Sequence, residues 1–209
     1  MQQLLARGAA VVAGGRSQKN LDAAKAAAPQ AELRQVDVLD RAALEQLFAA
    51  AAPFDILVNA ATGGERAMGP FLEMDLDGFQ GSFDKLWGYV ASVRLGAPHM
   101  SEAGSVVLVS GAPARKCPPG ASAISTVGNA VEGFVRAIAP EIAPRRINAV
   151  SPGIIDTPMF PVEGDARAKL LGTITGNNVI PRPGSADEVA EAILFLLTND
   201  FVTGTTVDV

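Results

Sequence analysis

The sequence has little of several residue types that define common protein classes. Its 209 residues include one cysteine, Cys117, and one histidine, His99, so it cannot form an internal disulfide or a Cys/His zinc site, and we expect no metal. It has 17 basic and 22 acidic residues, a net charge of −5 that argues against nucleic-acid binding. No apolar run approaches the roughly 18 residues of a membrane helix, so we expect no membrane partner and a cytoplasmic location.

The order of apolar runs and helical patterns predicts an α/β fold with a parallel sheet. Aromatic residues make up 5% of the chain, so the core has to be built mainly from alanine, valine, leucine and isoleucine. Short apolar runs alternate with segments whose apolar residues recur at helical spacing. Predicted strands cover residues 9–13, 32–38, 55–59, 105–110, 147–150 and 205–209. Predicted helices cover residues 17–28, a segment after Asp40, and residues 77–99, 122–139 and 186–198, with 154–184 irregular.

Four local strings carry a resemblance to a known family. They are VVAGGRS (11–17), DILVNAA (55–61), RRINAVSPGIIDTPMF (145–160) and RPGSADEVAEAILFL (182–196). In this order and spacing, and with FVTGTTVDV at the end, they resemble the short-chain dehydrogenase/reductase family over almost the whole chain. The resemblance implies a three-layer, doubly wound, Rossmann-like fold with a mainly parallel sheet. It also implies an NADP(H)-linked oxidoreductase that transfers hydride between the cofactor and a carbonyl or an alcohol.

The resemblance places the adenosine half of the cofactor beside the first two strands. A basic residue directly after the first strand contacts the 2′-phosphate in this family, so Arg16 implies NADP, with NAD as the other option. A solvated arginine in a turn is the alternative for Arg16. Asp37 and Val38 end the second predicted strand, where the family places its contacts to adenine, and Asp37 is equally well explained as a helix cap.

The other half of the cofactor is placed by residues that end the third and fifth strands. Asn59 opens a match to the family's Asn-Ala-Gly element and either borders the ribose or has a purely structural role. Pro152 and Gly153 are expected to hold the nicotinamide and phosphates, although a Pro-Gly pair also explains a turn without a ligand. The implied cofactor-binding residues are Arg16, Ser17, Asp37, Val38, Asn59, Ala60, Ala61, Pro152, Gly153, Ile154 and Thr157.

The chain departs from the family at the residues that carry its chemistry. The family uses a serine and a Tyr-x-x-x-Lys motif to move a proton, and this motif occurs nowhere in the chain. Alignment of the helix near 122–139 puts Ile124 at the tyrosine position and Gly128 at the lysine position. The serine position falls at Gly111, or at Ser110 if the loop is one residue longer, which makes Ser110 the candidate catalytic residue. Lys85 aligns with the asparagine of the family's proton relay.

The family's first strand and its glycine-rich turn have no counterpart in the sequence. Residues 1–8 (MQQLLARG) resemble the end of the helix that follows this turn. The resemblance therefore implies a single Rossmann-like domain over residues 1–209, truncated at the N-terminus and slightly at the C-terminus. The missing strand would be central, so three possibilities stay open: the sheet closes up with a new pairing, the chain is a fragment or has a misplaced start, or another chain supplies the strand.

The sequence leaves two hypotheses for the function. In the first, the protein is an NADP(H)-linked oxidoreductase acting on an unidentified small molecule, with substitute groups in place of the tyrosine and lysine. In the second, it is a non-catalytic dinucleotide binder or oligomeric scaffold, or an inactive fragment of a longer protein. In either case the helices near 77–99 and 122–139 resemble those that the family uses for subunit contacts, which predicts a homo-oligomer.

Overall fold

The computed structural model describes residues 1–62 and 66–209. The sequence also predicts a glycine-rich loop over residues 62–70, and this prediction falls partly outside the described residues. The strands are β1 (Val12–Gly15), β2 (Glu32–Gln35), β3 (Phe54–Asn59), β4 (Met100–Val109), β5 (Arg146–Ser151) and β6 (Thr206–Asp208). The helices are α1 (Gln2–Leu5), α2 (Gln18–Ala27), α3 (Arg41–Ala51), α4 (Leu76–Gly81), α5 (Asp84–Gly96), α6 (Pro113–Lys116), α7 (Ser122–Ile138), α8 (Gly164–Thr175) and α9 (Ala186–Thr198). Within these ranges, no helix has both the length and the apolar character needed to cross a membrane.

The paired strands are all parallel, and helices cover both faces of the larger sheet. Successive residues of β4 point to opposite faces, because side chains alternate along a strand. Leu108 packs with Tyr89 of α5 and Val131 of α7 on one face. Val107 packs with Leu196 of α9 on the other face. The predicted three-layer, doubly wound α/β architecture is therefore confirmed.

The described strands form two separate sheets, with β1–β2 in one and β3–β4–β5–β6 in the other. Strands β1 and β3 are not paired, so among the described residues the sheet does not close up in the way that the first of the three possibilities requires. Helix α3 packs against both sheets: Phe48 stacks on Phe54 of β3 at a ring distance of 5.8 Å and shares a cluster with Val36 beyond β2. Burial of these apolar side chains holds the two sheets together, and each fully buried side chain contributes about 1.5–3 kcal/mol to stability.

Polar side chains cap the starts of several helices, and the cap of α3 is Asp40, so the alternative role of Asp37 as a helix cap is wrong. The hydroxyl of Ser17 accepts a hydrogen bond from the backbone N–H of Asn20 and begins α2, and the Asp40 carboxylate accepts one from Ala43 and begins α3. Ser185 and Glu188 form a full capping box at the start of α9, which spans the predicted residues. Each cap satisfies amide donors that the helix itself leaves unpaired.

Several segments differ from the prediction. Strand β2 ends at Gln35, three residues earlier than predicted, and β4 begins at Met100, five residues earlier than predicted. The predicted helix 77–99 is interrupted between α4 and α5, where two glycines in LDGFQG weaken the helix, and its last three residues form a 3₁₀ turn. The region 154–184 is not fully irregular, because it contains α8, which buries Leu171 and Thr175. Strand β1 begins three residues later than predicted, since its register pairs Val12 with Glu32.

Candidate functional site

The parallel strands bring most of the predicted site residues to the carboxyl ends of the two sheets. In open α/β sheets this edge is where ligands bind. Arg16 follows β1, Asp37 follows β2, Asn59 ends β3, Ser110 follows β4 and Pro152 follows β5. The parallel strands therefore place these residues at the same edge, even where the residues do not contact one another.

An exposed ion pair lies at the carboxyl ends of β1 and β2, where the resemblance places the adenosine. The guanidinium of Arg16 lies 3.7 Å from the carboxylate of Asp37, and the Arg16 side chain is 64% exposed. Asp37 also accepts a hydrogen bond from the backbone N–H of Leu39, at 3.0 Å, so it shapes the turn after β2 as well. An exposed pair at this distance contributes little stability, so a phosphate can compete for the Arg16 guanidinium. The Ser17 hydroxyl is occupied as the cap of α2.

Asn59 is buried and fully engaged by the protein. Its amide nitrogen donates to the Ser92 hydroxyl at 2.8 Å, and its amide oxygen accepts from the backbone N–H of Ala61 at 3.0 Å. These bonds tie β3 to α5 and fix the turn through Ala60, which is exposed. Val38 likewise contacts α5, since a Cβ on Gly88 would lie 2.5 Å from its side chain. These contacts fit a structural role for Asn59, which was one of the two predicted alternatives.

Backbone hydrogen bonds hold the turn after β5. The carbonyl of Pro152 accepts from the N–H of Ala112 at 2.8 Å, and the N–H of Gly153 donates to the carbonyl of Val209 at 2.7 Å. The carbonyl of Ile154 accepts from Gly184, and that of Thr157 accepts from the Arg167 guanidinium at 2.5 Å. These bonds order the segment in which the resemblance places the nicotinamide contacts.

Gly128, which the alignment places at the family's lysine position, has no room for a side chain. Helix α6 packs so tightly on α7 that a Cβ on Gly128 would lie 2.7 Å from the Cβ of Ala114. Real Cβ contacts are never this short, so a lysine cannot be accommodated without moving α6. Ile124, at the tyrosine position, carries no exchangeable proton.

Ser110 points into the protein towards α7. Its hydroxyl lies 3.2 Å from both the carbonyl of Gly128 and a carboxylate oxygen of Glu132. A hydroxyl has one proton, so it donates to one of these acceptors at a time. Ser110 remains a predicted catalytic residue, and these contacts give it a structural role as well.

A buried carboxylate beside Ser110 was missed in the sequence. Glu132 is 2% exposed and pairs with the guanidinium of Arg115 at 3.1 Å. Arg115 also pairs with the exposed carboxylate of Asp208 on β6 at 3.2 Å. The sequence did contain a signal for this ion pair, because Glu132 follows Val131 of the apolar stripe of α7. An acidic residue at such a position is buried only when it has a partner of opposite charge.

Tyr89, the single tyrosine of the chain, belongs to the core. Its side chain is fully buried, and its hydroxyl donates to the carbonyl of Val109 at 2.9 Å. Burial raises the pKa of the Tyr89 hydroxyl, so the group stays protonated. Tyr89 therefore supports β4 and does not replace the missing tyrosine at the open edge.

Lys85 lies on α5 beside the end of β4. Its amine donates to the carbonyl of Ser110 at 3.0 Å and sits 5.6 Å from the centre of the Tyr89 ring. Burial and, to a smaller extent, the nearby Arg66 cation lower the pKa of Lys85 from 10.5 to about 8. The site therefore contains an amine that changes its protonation state close to neutral pH.

Comparisons with known proteins agree with this arrangement. A family model described as enoyl-(acyl carrier protein) reductase matches residues 1–209. The chain is 32% identical to the short-chain dehydrogenase/reductase ATR9 of Stachybotrys chlorohalonatus, covering 93% of this chain and 81% of that protein. It is 30% identical to L-xylulose reductase of Bos taurus, covering 100% of this chain and 88% of that protein.

Among solved structures, the chain is similar to a short-chain oxidoreductase from Pseudomonas aeruginosa PAO1. That structure contains NADPH and is described as having an atypical catalytic centre. The TM-score is 0.89 at 28% identity, and the match covers 100% of this chain and 88% of that one. Because sequence and fold agree over the whole chain, the protein belongs to the short-chain dehydrogenase/reductase family.

Proposed function

We propose that the protein is an NADP(H)-linked oxidoreductase that interconverts a carbonyl compound and an alcohol. The observation that carries the proposal is the exposed guanidinium of Arg16 at the carboxyl end of β1, next to Asp37. A guanidinium binds a phosphate through two parallel hydrogen bonds, so it favours a cofactor with a 2′-phosphate. The NADPH in the similar Pseudomonas structure supports the same choice.

The described residues fit the two ends of such a cofactor. Arg16, with Asp37 and Val38, would border the adenosine and its 2′-phosphate. The ordered backbone of Pro152, Gly153 and Ile154, with Thr157, would border the nicotinamide, while Asn59 holds the turn between them. When bound, the reduced cofactor supplies the hydride. The chain's own residues have to orient the substrate and provide the proton.

Titration with NADPH and NADH tests the cofactor assignment, with nucleotide fluorescence as the signal. Arg16→Ala should weaken NADPH binding by about 10–100-fold, since a charge-assisted hydrogen bond contributes about 1.5–3 kcal/mol, and leave NADH almost unchanged. Arg34→Ala is the matched control, because Arg34 is an exposed arginine of β2 that pairs with Glu32. Equal losses for both nucleotides would contradict the 2′-phosphate contact, and no binding at millimolar NADPH would refute the proposed function.

A non-catalytic dinucleotide binder is the second candidate. Two observations favour it: Ala114 closes the lysine position at Gly128, and the single tyrosine, Tyr89, is buried. Turnover separates the two functions. Micromolar NADPH binding without NADPH oxidation, across a panel of aldehydes, ketones and keto esters, would favour the binder, and oxidation with any of them would favour the enzyme.

We also propose that two or more copies associate through α5 and α7. The family resemblance supports this, because the family uses the corresponding helices for subunit contacts, and Trp87 on α5 is 59% exposed and so is available for such a contact. Light scattering coupled to size-exclusion chromatography should give a dimer or tetramer, and Trp87→Glu should shift it towards the monomer. Phe201→Glu, which alters an exposed aromatic residue after α9, is the control. A monomeric wild-type protein would overturn this assembly.

A further inference from the structure

The position of Lys85 carries an inference that rests on the proposed oxidoreductase function. A lysine amine normally extends into water, yet this one lies partly buried on α5 and donates to the carbonyl of Ser110 at 3.0 Å. Ser110 directly follows β4, so the amine reaches the carboxyl edge between the ends of β3 and β5. This is the edge at which a parallel sheet presents reacting groups to a ligand.

The amine has a proton available for a ligand. A lysine ammonium has three N–H donors. One of them is used by the carbonyl of Ser110, and the nitrogen lies over the Tyr89 ring, 5.6 Å from its centre. The contacts with Ser110 and Tyr89 fix the position of the nitrogen, and a substrate oxygen at the edge can accept a further N–H.

Four neighbouring groups are unsuited to the same task. The Tyr89 hydroxyl is in the core and donates to Val109. The Ser110 hydroxyl points at α7, where it meets Gly128 and Glu132. Ile124 and Gly128, which occupy the family's tyrosine and lysine positions, have no titratable side chain.

We propose that Lys85 is the catalytic acid–base residue of this protein and donates the proton to the substrate oxygen. In the reducing direction, hydride from the reduced nicotinamide forms the new C–H bond as the C=O π bond breaks. The electron pair of that bond takes a proton from the Lys85 ammonium and forms the alcohol O–H. Lys85 is left as a neutral amine and recovers its proton from water, so one carbonyl, one hydride and one proton give one alcohol.

The electrostatic surroundings of Lys85 suit this role. Its pKa of about 8 allows the amine both to hold and to release a proton near neutral pH, as efficient general acid–base catalysis requires. Arg66 is the cation that adds to the effect of burial, and Asp84 precedes Lys85 on α5. On the far side of Ser110, Glu132 of α7 forms an ion pair with Arg115 of α6.

The test compares wild-type protein with Lys85→Met and Lys85→Arg, and uses Lys169→Met as a control at an exposed lysine of α8. For each protein, kcat for NADPH oxidation is measured from pH 6 to 10 with the carbonyl panel, and the NADPH Kd by fluorescence. We expect Lys85→Met to lower kcat by about 10²–10⁴-fold while the NADPH Kd stays within threefold. Wild-type reduction should decline above pH 8, and Lys85→Arg should lower kcat and lose this decline, because a guanidinium keeps its proton over the whole range.

A second measurement is independent of turnover and of NADPH. Lysines carrying ¹³C-labelled dimethyl groups are titrated by NMR in wild type and in Lys85→Met, which assigns the Lys85 signal by its loss. A Lys85 signal that titrates well below those of the other lysines supports the proposal, and one that titrates with them overturns it. Circular dichroism melts verify that each variant is folded.

The outcomes separate this inference from the proposed function. If wild type binds and oxidises NADPH, but kcat and its pH profile are unchanged in Lys85→Met, the role of Lys85 is wrong and the oxidoreductase stands. If wild type does not bind NADPH while the Lys85 signal still titrates near pH 8, the proposed function is wrong, and the catalytic role of Lys85 is overturned with it.

Discussion

Gly128 of α7 and Ala114 of α6 are packed so closely that a Cβ on residue 128 would lie 2.7 Å from the Cβ of Ala114. The Ser110 hydroxyl lies 3.4 Å from the same point. The helix that follows β4 thus occupies the space into which the lysine of a Tyr-x-x-x-Lys motif would extend. A lysine at residue 128 would therefore require α6 to move as well.

This contact predicts that Gly128→Ala destabilises the fold. The added methyl group has to displace Ala114 or move α7, and overpacking of this kind costs about 1–3 kcal/mol. Urea unfolding followed by circular dichroism measures the change. Gly133→Ala is the matched control on the same helix. The nearest atom to its added Cβ would be in the Arg136 guanidinium, at 3.9 Å, so this change should stabilise the protein by up to about 1 kcal/mol. A neutral Gly128→Ala would contradict the packing described here.

The burial of Lys85 predicts a pH-dependent stability. The pKa of Lys85 is about 8 in the folded protein and about 10.5 when the chain is unfolded, so between these values the unfolded chain binds more protons. Stability relative to Lys85→Met should therefore rise with pH from 8 to 10.5 and be lowest, by about 1–3 kcal/mol, below pH 8.

Urea unfolding at pH 7, 8.5 and 10 provides the measurement. Lys85→Met should be the more stable protein at pH 7, and the difference should shrink as the pH increases. Lys169→Met should show a difference from wild type that does not change with pH. A constant offset for Lys85→Met over this range would show that the amine titrates at its ordinary pKa.

The ion pair between Arg115 and Glu132 predicts an asymmetry between its partners. Arg115→Met leaves a carboxylate buried without its cation and should cost about 3 kcal/mol, less than for a fully buried pair because Arg115 is partly exposed. Glu132→Gln leaves a neutral amide beside Ser110 and a guanidinium that reaches water, so it should cost about half as much. Asp208→Asn, at the exposed end of the network, should change stability by less than about 0.5 kcal/mol. Unfolding free energies from urea titration at pH 7 give all three values, and equal costs would contradict this account of the network.

Local chemistry explains the parts of the fold that were predictable. Helix α9 begins at Ser185, where the hydroxyl and the Glu188 carboxylate satisfy the first amides, and all of this information lies within four neighbouring residues. The break in the predicted helix 77–99 depends on the weak segment around Gly78, whose cost is small enough for packing to decide. Helix α8 was missed because its apolar residues are few, and its stability depends on burying Leu171 and Thr175.

The candidate site also contains residues whose position was predictable from the sequence and others whose environment was not. The positions of Arg16, Asp37 and Pro152 were predictable because each lies within two residues of a strand end, and the parallel topology brings strand ends to one edge. The environment of Lys85 was not predictable, because the carbonyl that it meets belongs to Ser110, which is 25 residues away in sequence. The same holds for Glu132 and Arg115, whose pairing depends on how α6 packs on α7.

By itself, the sequence determined the family, the order of strands and helices, and the absence of the Tyr-x-x-x-Lys motif, because each is encoded in short strings and local periodicity. The tertiary structure alone decided which groups meet at the carboxyl edge. It buries Tyr89 in the core, turns Ser110 towards α7 and lowers the pKa of Lys85. Burial and the distance between charges set these properties, and both arise only when residues distant in sequence pack together.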